Sequence, residues 1–249
     1  MRRKLIGGNW KMYGSQSEVM GLVNGVLAGL GDHTASDVVV FPSFVYLPLV
    51  QTMLDGESIG LGAQNFNEHE EGAYTGEVSG KMLYDIGCSY VLVGHSERRQ
   101  YYQESNELVA LKCEAALTNN LTPVLCVGET QEQRELHQTE EVVLAQIDAV
   151  VERLGIEAFE KIEVAYEPVW AIGTGLTATP EQAQEVHYFI RKQIAVRNQA
   201  IADNLRIIYG GSVKGNNAES LFAMPDIDGG LVGGASLKAD EFVTICKAV

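Results

Sequence analysis

An α/β fold, a (β/α)8 barrel running as one domain over residues 1–249, is expected from three features of this chain. Eight short apolar runs recur along it, helical patterns fall between them, and 249 residues is the size that eight strand–helix units require. The runs are apolar throughout rather than alternating, as parallel strands covered on both faces should be. A doubly wound open sheet is the competitor. It would normally carry G-x-G-x-x-G after its first strand, where this chain has N-W-K-M-Y-G.

In order, the runs are K-L-I-G-G-N-W near the start, D-V-V-V-F at 37–41, S-I-G-L-G-A at 58–63, Y-V-L-V-G at 90–94, P-V-L-C-V-G at 123–128, I-E-V-A-Y-E at 162–167, R-I-I-Y-G-G at 206–211 and G-G-L-V-G-G at 229–234. Between the fifth and sixth, residues 138–153 place Val142, Ile147, Val150 and Val151 near one helix face. After the sixth, Thr179-Pro180-Glu181 opens a helix, with a capping hydroxyl and then proline at the first helical position. After the fourth, His95 or Ser96 is placed to cap a short helix. No low-complexity stretch or shift in composition suggests a second domain.

The chain holds 33 acids against 18 bases, a net charge of −15, which argues against nucleic acid or an anionic membrane as partner. An anionic substrate would require local positive potential. Glu129, Glu132, Glu135, Glu140 and Glu141 read as a solvated helix face. Cys88, Cys113, Cys126 and Cys246 lack metal-binding spacing and read as buried thiols in a reducing compartment. The basic start carries no apolar stretch of signal-peptide length and no run is long enough to span a membrane, so a cytoplasmic location is the default.

In a barrel of this type, chemistry sits at the carboxyl ends of the strands. Those ends carry Asn9 and Lys11, Gln64 and Asn65, His95, Cys126 to Glu129, Glu167, Gly210 to Ser212, and Gly233 with Gly234. Glu167 is the natural general base, desolvated and made more basic at a strand end, although a carboxylate there can also pair with an arginine. His95 beside a helix start should be a neutral ring that donates to a substrate oxygen, unless it only bonds backbone. Lys11 supplies positive charge for an anion or oxyanion, unless it is merely solvated. One histidine and no carboxylate cluster argue against a metal centre, so no metal and no cofactor are expected.

The turns Y-G-G-S-V at 209–213 and L-V-G-G-A-S-L at 231–237 let backbone N–H groups approach a ligand, and loops after the last two strands commonly hold phosphate. Either alone could be tight packing. The segment A-Y-E-P-V-W-A-I-G-T-G-L-T-A-T-P puts Pro168, Val169, Trp170, Ala171, Ile172, Gly173, Thr174, Gly175 and Leu176 where a solvated loop should be polar. An apolar lid explains it. Base, neutral donor, cation and phosphate cradle together describe proton abstraction beside a carbonyl, and a lid keeps water from the intermediate. Base and one donor supply about 6–9 kcal/mol, so substrate positioning and closure must supply the rest.

The strings G-N-W-K-M, G-A-Q-N, G-A-Y-T-G-E, V-G-H-S-E-R-R, T-P-V-L-C-V-G-E-T, A-Y-E-P-V-W-A-I-G-T-G, Y-G-G-S-V and D-G-G-L-V-G-G-A-S-L resemble the triosephosphate isomerase family, in family order over residues 7–237. The resemblance implies a TIM barrel that interconverts glyceraldehyde 3-phosphate and dihydroxyacetone phosphate without cofactor. It implies that Glu167 shuttles the proton, His95 is the neutral electrophile, and Asn9 and Lys11 bind and polarise substrate. Glu97, Ser96 and Cys126 would support them, and Gly173, Ser212, Gly233 and Gly234 would give backbone N–H groups to the phosphate. It further implies a homodimer, with Thr75 at the tip of the long loop 65–79 and Gln64 and Tyr13 near the contact. Leu176, Tyr13 and Ser43 depart from residues frequent in the family, and none is catalytic.

Two rivals remain at this point. A barrel aldolase needs an apolar-buried lysine at a late strand end, where this chain has Glu167. A catalytically inactive scaffold would have lost Lys11, His95 or Glu167, and all three are present.

Overall fold

Strands with apolar side chains on both faces are buried only in a sheet covered on both sides. The structure, a computed structural model describing residues 2–33, 35–171 and 178–249, achieves this by closing eight parallel strands into a barrel in chain order, the first pairing with the last. They are β1 (Lys4–Asn9), β2 (Ser36–Phe41), β3 (Ile59–Ala63), β4 (Tyr90–Val93), β5 (Thr122–Val127), β6 (Glu163–Tyr166), β7 (Ile207–Tyr209) and β8 (Gly229–Val232). Around them lie α1 (Gln16–Leu30), α2 (Leu47–Leu54), α3 (Gly80–Ile86), α4 (Ser96–Tyr101), α5 (Asn106–Thr118), α6 (Gln131–Glu135), α7 (Thr139–Leu154), α8 (Pro180–Arg197), α9 (Gln199–Asn204), α10 (Ala218–Phe222) and α11 (Ala239–Cys246). No helix of the described residues is long and apolar enough to cross a membrane.

Strand pleating divides the core in two. Along β2, Val39 and Phe41 point into the barrel with Leu5, Leu92, Val124 and Ile208, while Val38 and Val40 point outward to the helices with Ile6, Val91 and Val93. Phe41 fills the barrel only because β3 offers Gly62 beside it. A Cβ there would lie 2.3 Å from the Phe41 ring, inside any real contact. At the amino-terminal end Arg206 ties Asp37 (2.7 Å) to Glu163 (2.5 Å) across the strands.

The eight runs all become strands, but several of them overran the strands at their carboxyl ends. Gly94, Gly128, Glu167, Gly210, Gly211, Gly233 and Gly234 lie just beyond, where the ladder stops and the loops begin. The helix expected at 138–153 is α7, and its buried face is Val143, Gln146, Ile147 and Val150 rather than one containing Val142 and Val151, which are half-buried. Gln146 turns inward because its amide closes on Gly128, accepting from the backbone N–H (2.8 Å) and donating to the carbonyl (3.2 Å). Thr179 caps α8 as expected, accepting from Gln182 N–H at 3.2 Å with Pro180 at the first position. All four cysteines are free and buried.

His187 on α8 is fully buried, its ring edge-on to Tyr166 at 5.7 Å and its Nδ1 3.2 Å from the Asp226 carbonyl. Burial pushes its pKa down from 6.5 to about 4. The folded protein therefore keeps this ring neutral in a window where the unfolded chain protonates it. Stability should fall as pH drops from 6.5 towards 4, by about 3 kcal/mol from this group alone. Denaturant titrations across that window should show a shallower pH slope in His187→Gln than in the parent; equal slopes would show that the ring does not titrate as described.

Candidate active site

The carboxyl ends of β1, β4, β6, β7 and β8 open into one cavity of about 410 Å³, lined by Asn9, Lys11, His95, Glu167, Ser212, Gly233 and Gly234 among others. Seven residues expected at the site from sequence thus share one space. Gly173 and the lid residues Ile172, Thr174, Gly175 and Leu176 lie outside the described residues.

Asn9 is buried at the end of β1, and its Oδ1 accepts the Lys11 backbone N–H at 3.0 Å. Lys11 sits at φ +51°, a left-handed backbone that costs a non-glycine residue free energy unless its surroundings hold it. Its carbonyl is gripped by the Ser43 hydroxyl (2.9 Å) and the Gln64 amide (2.7 Å), and Gln64 also donates to the Phe41 carbonyl at 2.8 Å. The Lys11 ammonium lies 2.6 Å from Glu97 Oε1 on α4. Ser43, a departure from the common family residue, thus helps fix the lysine.

His95 follows Gly94 at the end of β4 and caps α4, its Nδ1 accepting the Glu97 N–H at 3.2 Å. That bond places the ring proton on Nε2, which lies 2.9 Å from Glu167 Oε1. The other Glu167 oxygen accepts the Ser96 N–H at 2.8 Å, so Ser96 acts here through its backbone. Both side chains are nearly fully buried.

This geometry corrects two expectations about charge. Burial works to raise the Glu167 pKa, but the His95 ring, the Ser96 N–H and Lys11 outweigh it and hold the carboxyl below its ordinary value. Burial likewise works to lower His95, yet Glu167 and then Glu97 outweigh it and hold the ring above its ordinary value. In this arrangement the carboxyl is not made more basic and the ring is not pushed towards neutrality, because each faces the other.

Cys126 is fully buried inside the barrel, below the site, and its carbonyl accepts from Arg99 Nη2 at 3.2 Å. Arg99 also donates to the Gly94 carbonyl at 2.8 Å, joining the ends of β4 and β5. Sequence reasoning missed it, although it lies within V-G-H-S-E-R-R. Two glycines were placed at strand ends without their purpose. An added Cβ would lie 1.8 Å from the Glu167 carbonyl oxygen at Gly128 and 2.8 Å from Glu167 Cγ at Gly210. Gly128 leaves room for the Glu167 main chain and Gly210 for its side chain.

The start of the expected lid departs from a plain loop. Val169–Ala171 form a 3-10 turn after Pro168, whose fixed φ favours it. Glu129 is a correction as well. It is not part of a solvated face; it is fully buried, whereas Glu132, Glu135, Glu140 and Glu141 are exposed. Its carboxylate accepts the Trp170 indole N–H at 3.0 Å, the Tyr166 hydroxyl at 3.1 Å and Arg134 at 3.1 Å, while its carbonyl accepts the Val169 N–H at 3.2 Å. Arg134 also stacks over the Trp170 ring, 4.6 Å from its centroid. A single buried glutamate thereby fastens Val169 through its main-chain carbonyl and Trp170 through its carboxylate.

Among known proteins, the family model described as triosephosphate isomerase matches residues 4–249. The chain belongs to that family. It is 57% identical over 248 residues to the triosephosphate isomerase of Thiobacillus denitrificans, covering 100% of this chain and 99% of the relative. Identity is 55% over 249 residues to that of Methylococcus capsulatus and 54% over 248 residues to that of Nitrosococcus oceani, each at 100% of this chain and 99% of the relative. Membership of the triosephosphate isomerase family removes the barrel aldolase as the better reading of Glu167 and Lys11. Among the described residues, Lys11 also stands paired with Glu97 at 2.6 Å rather than in the apolar burial that an imine-forming lysine needs.

Proposed function

We propose that this chain is a cofactor-free triosephosphate isomerase, acting over residues 1–249 as one barrel domain in the interconversion of D-glyceraldehyde 3-phosphate and dihydroxyacetone phosphate in glycolysis and gluconeogenesis. The observation that carries the reading is the 2.9 Å approach of Glu167 to His95 Nε2 in a cavity that also holds Lys11. The substrate's carbonyl oxygen takes the His95 Nε2–H and faces the Lys11 ammonium, with Asn9 beside it. Glu167 then loses His95 and Ser96 as partners and turns to the adjacent carbon. Both partners held its pKa down, so the carboxylate gains basicity as substrate arrives.

Glu167 removes the carbon-bound proton and the electron pair moves to the carbonyl oxygen as an enediolate. His95 Nε2 gives its proton to that oxygen and takes the hydroxyl proton of the neighbouring one. The Glu167 carboxyl returns the first proton to the neighbouring carbon as the new carbonyl forms. His95 and Lys11 stabilise the developing oxyanion. Ser212, Gly233, Gly234 and Gly173 present N–H groups to the phosphate, and residues 168–176 close as a lid that excludes water from the intermediate. The test is isomerase activity on glyceraldehyde 3-phosphate in chelator, with borohydride added in parallel. Turnover without trapped imine is expected; well-folded protein without turnover would favour an inactive scaffold.

The working form is a homodimer in the cytoplasm. Met12, Tyr13, Val45, Tyr101 and Tyr102 are large apolar side chains left exposed, the first two at 93% and 60%. The Lys11–Glu97 pair and the bond from the Tyr46 hydroxyl to the Gly14 carbonyl draw their segments together on one side of the site. An apolar face of this kind needs a cover, and Thr75, in the exposed stretch 69–77 of loop 65–79, is the residue that would reach the partner. Light scattering should give twice the chain mass; a mass near one chain with full activity would rule the dimer out.

A further inference from the structure

We propose that Lys214, at the mouth of the substrate cavity, is the cation that draws the phosphate in and raises kcat/KM by charge, a role that rests on the isomerase reading above. The chain's net charge of −15 opposes the approach of a phosphorylated triose. Inside the cavity the balance is no better. Lys11 is matched by Glu97 at 2.6 Å, and Glu167 adds a further negative charge facing the His95 ring at 2.9 Å, so these groups carry no net positive charge whichever state the ring holds. The glycine turns offer dipoles to a phosphate but no full charge.

The charged side chains lining the cavity, beside His95, are Lys11, Glu167 and Lys214. Lys214 is exposed and takes part in no ion pair among the described residues. Its backbone is nevertheless fixed. The Lys214 N–H donates to Asn217 Oδ1 at 2.8 Å, and Asn217 Nδ2 donates to the Ser212 carbonyl at 3.1 Å. This brace ties the lysine's backbone to that of Ser212, where the phosphate is to be held, while the ammonium stays in solvent. A full charge at such a rim acts on encounter and on bound ground and transition states alike, so it moves kcat/KM and leaves kcat in place.

The experiment compares the parent protein with Lys214→Gln, Lys214→Glu and Lys214→Arg at ~0.01 M and ~0.15 M ionic strength, where screening lengths are about 30 and about 8 Å. For glyceraldehyde 3-phosphate at low salt, Lys214→Gln should lower kcat/KM roughly three- to tenfold, Lys214→Glu by more, and Lys214→Arg by little. The differences should shrink at the higher salt. Unphosphorylated glyceraldehyde, which has no charge to draw, should be turned over equally by all four. Equal kcat/KM among the variants at low salt overturns the role, as does an equal loss with glyceraldehyde, which would mark a structural effect. Calorimetry with inorganic phosphate separates this proposal from the isomerase reading. Weaker phosphate binding in Lys214→Gln, in a parent without turnover, would keep the anion site and sink the isomerase.

Discussion

Glu167→Gln is expected to lower kcat on glyceraldehyde 3-phosphate by roughly 10²–10⁴-fold, with KM within about threefold of the parent. The loss falls on turnover because the amide cannot accept a carbon-bound proton, while the groups proposed to hold phosphate are untouched. The resting geometry adds a second signature. Glu167 now accepts from His95 Nε2 at 2.9 Å and from Ser96 N–H at 2.8 Å. A glutamine can satisfy Ser96 with its oxygen, but its NH2 then faces the proton on Nε2. The ring cannot escape by moving that proton to Nδ1, because Nδ1 accepts the Glu97 N–H. Removing the carboxylate also removes the chief influence holding His95 above its ordinary value, so the ring's pKa, read by NMR, should drop. A variant with near-parental kcat would show that another group is the base. A low kcat with an unmoved His95 titration would show that the pair is not coupled as drawn.

The barrel was legible because parallel strands buried on both faces leave continuous apolar runs, and each run lies where a strand forms. The strand ends were less legible. I-E-V-A-Y-E and R-I-I-Y-G-G run one or two residues past the strands, and backbone bonds run on with them, Glu167 N–H to the Val127 carbonyl and Gly210 N–H to the Tyr166 carbonyl. Pattern alone therefore could not separate Tyr166 from Glu167, or Tyr209 from Gly210. The candidate site residues were read from the motifs, and His95, Glu167, Lys11 and Asn9 do meet. Glu97 and Ser96 were read there too as supports, but not which residue each of them meets. Glu97 lies 86 positions from Lys11 and Ser96 lies 71 from Glu167, and no local period reports such distances. Glu129 shows the cost. Beside Glu132 and Glu135 it looked like one more surface acid, but the turn after β5 points it inward to Tyr166 and Trp170. Gln146 shifted the α7 face for the same reason, a polar side chain drawn in by backbone left over at a strand end.

Gly128→Ala carries the second large expected effect, and it tests whether the position of Glu167, as well as its chemistry, matters. The methyl carbon would stand 1.8 Å from the Glu167 carbonyl oxygen and 2.7 Å from the carbonyl carbon, where contacts under 3.0 Å essentially never occur. Neither backbone can yield freely. Glu167 N–H is bonded to the Val127 carbonyl at 2.7 Å, and Gly128 is clasped by Gln146 through both its N–H and its carbonyl. Overpacking of this kind should cost about 1–3 kcal/mol, seen as a fall in Tm of about 2–12 °C. The chemical effect should be larger in proportion, because relief requires the base to move, and a displacement of about 1 Å costs on the order of 10²-fold in turnover. Gly210→Ala is the companion. Its methyl would meet the Glu167 side chain at Cγ, 2.8 Å away, rather than the main chain, so turnover should fall with a smaller loss of Tm. Parental kcat in a folded Gly128→Ala protein would mean that the carboxylate finds its place without the room these two glycines leave. The 2.9 Å approach to His95 would then be a resting contact with no bearing on where the proton is taken.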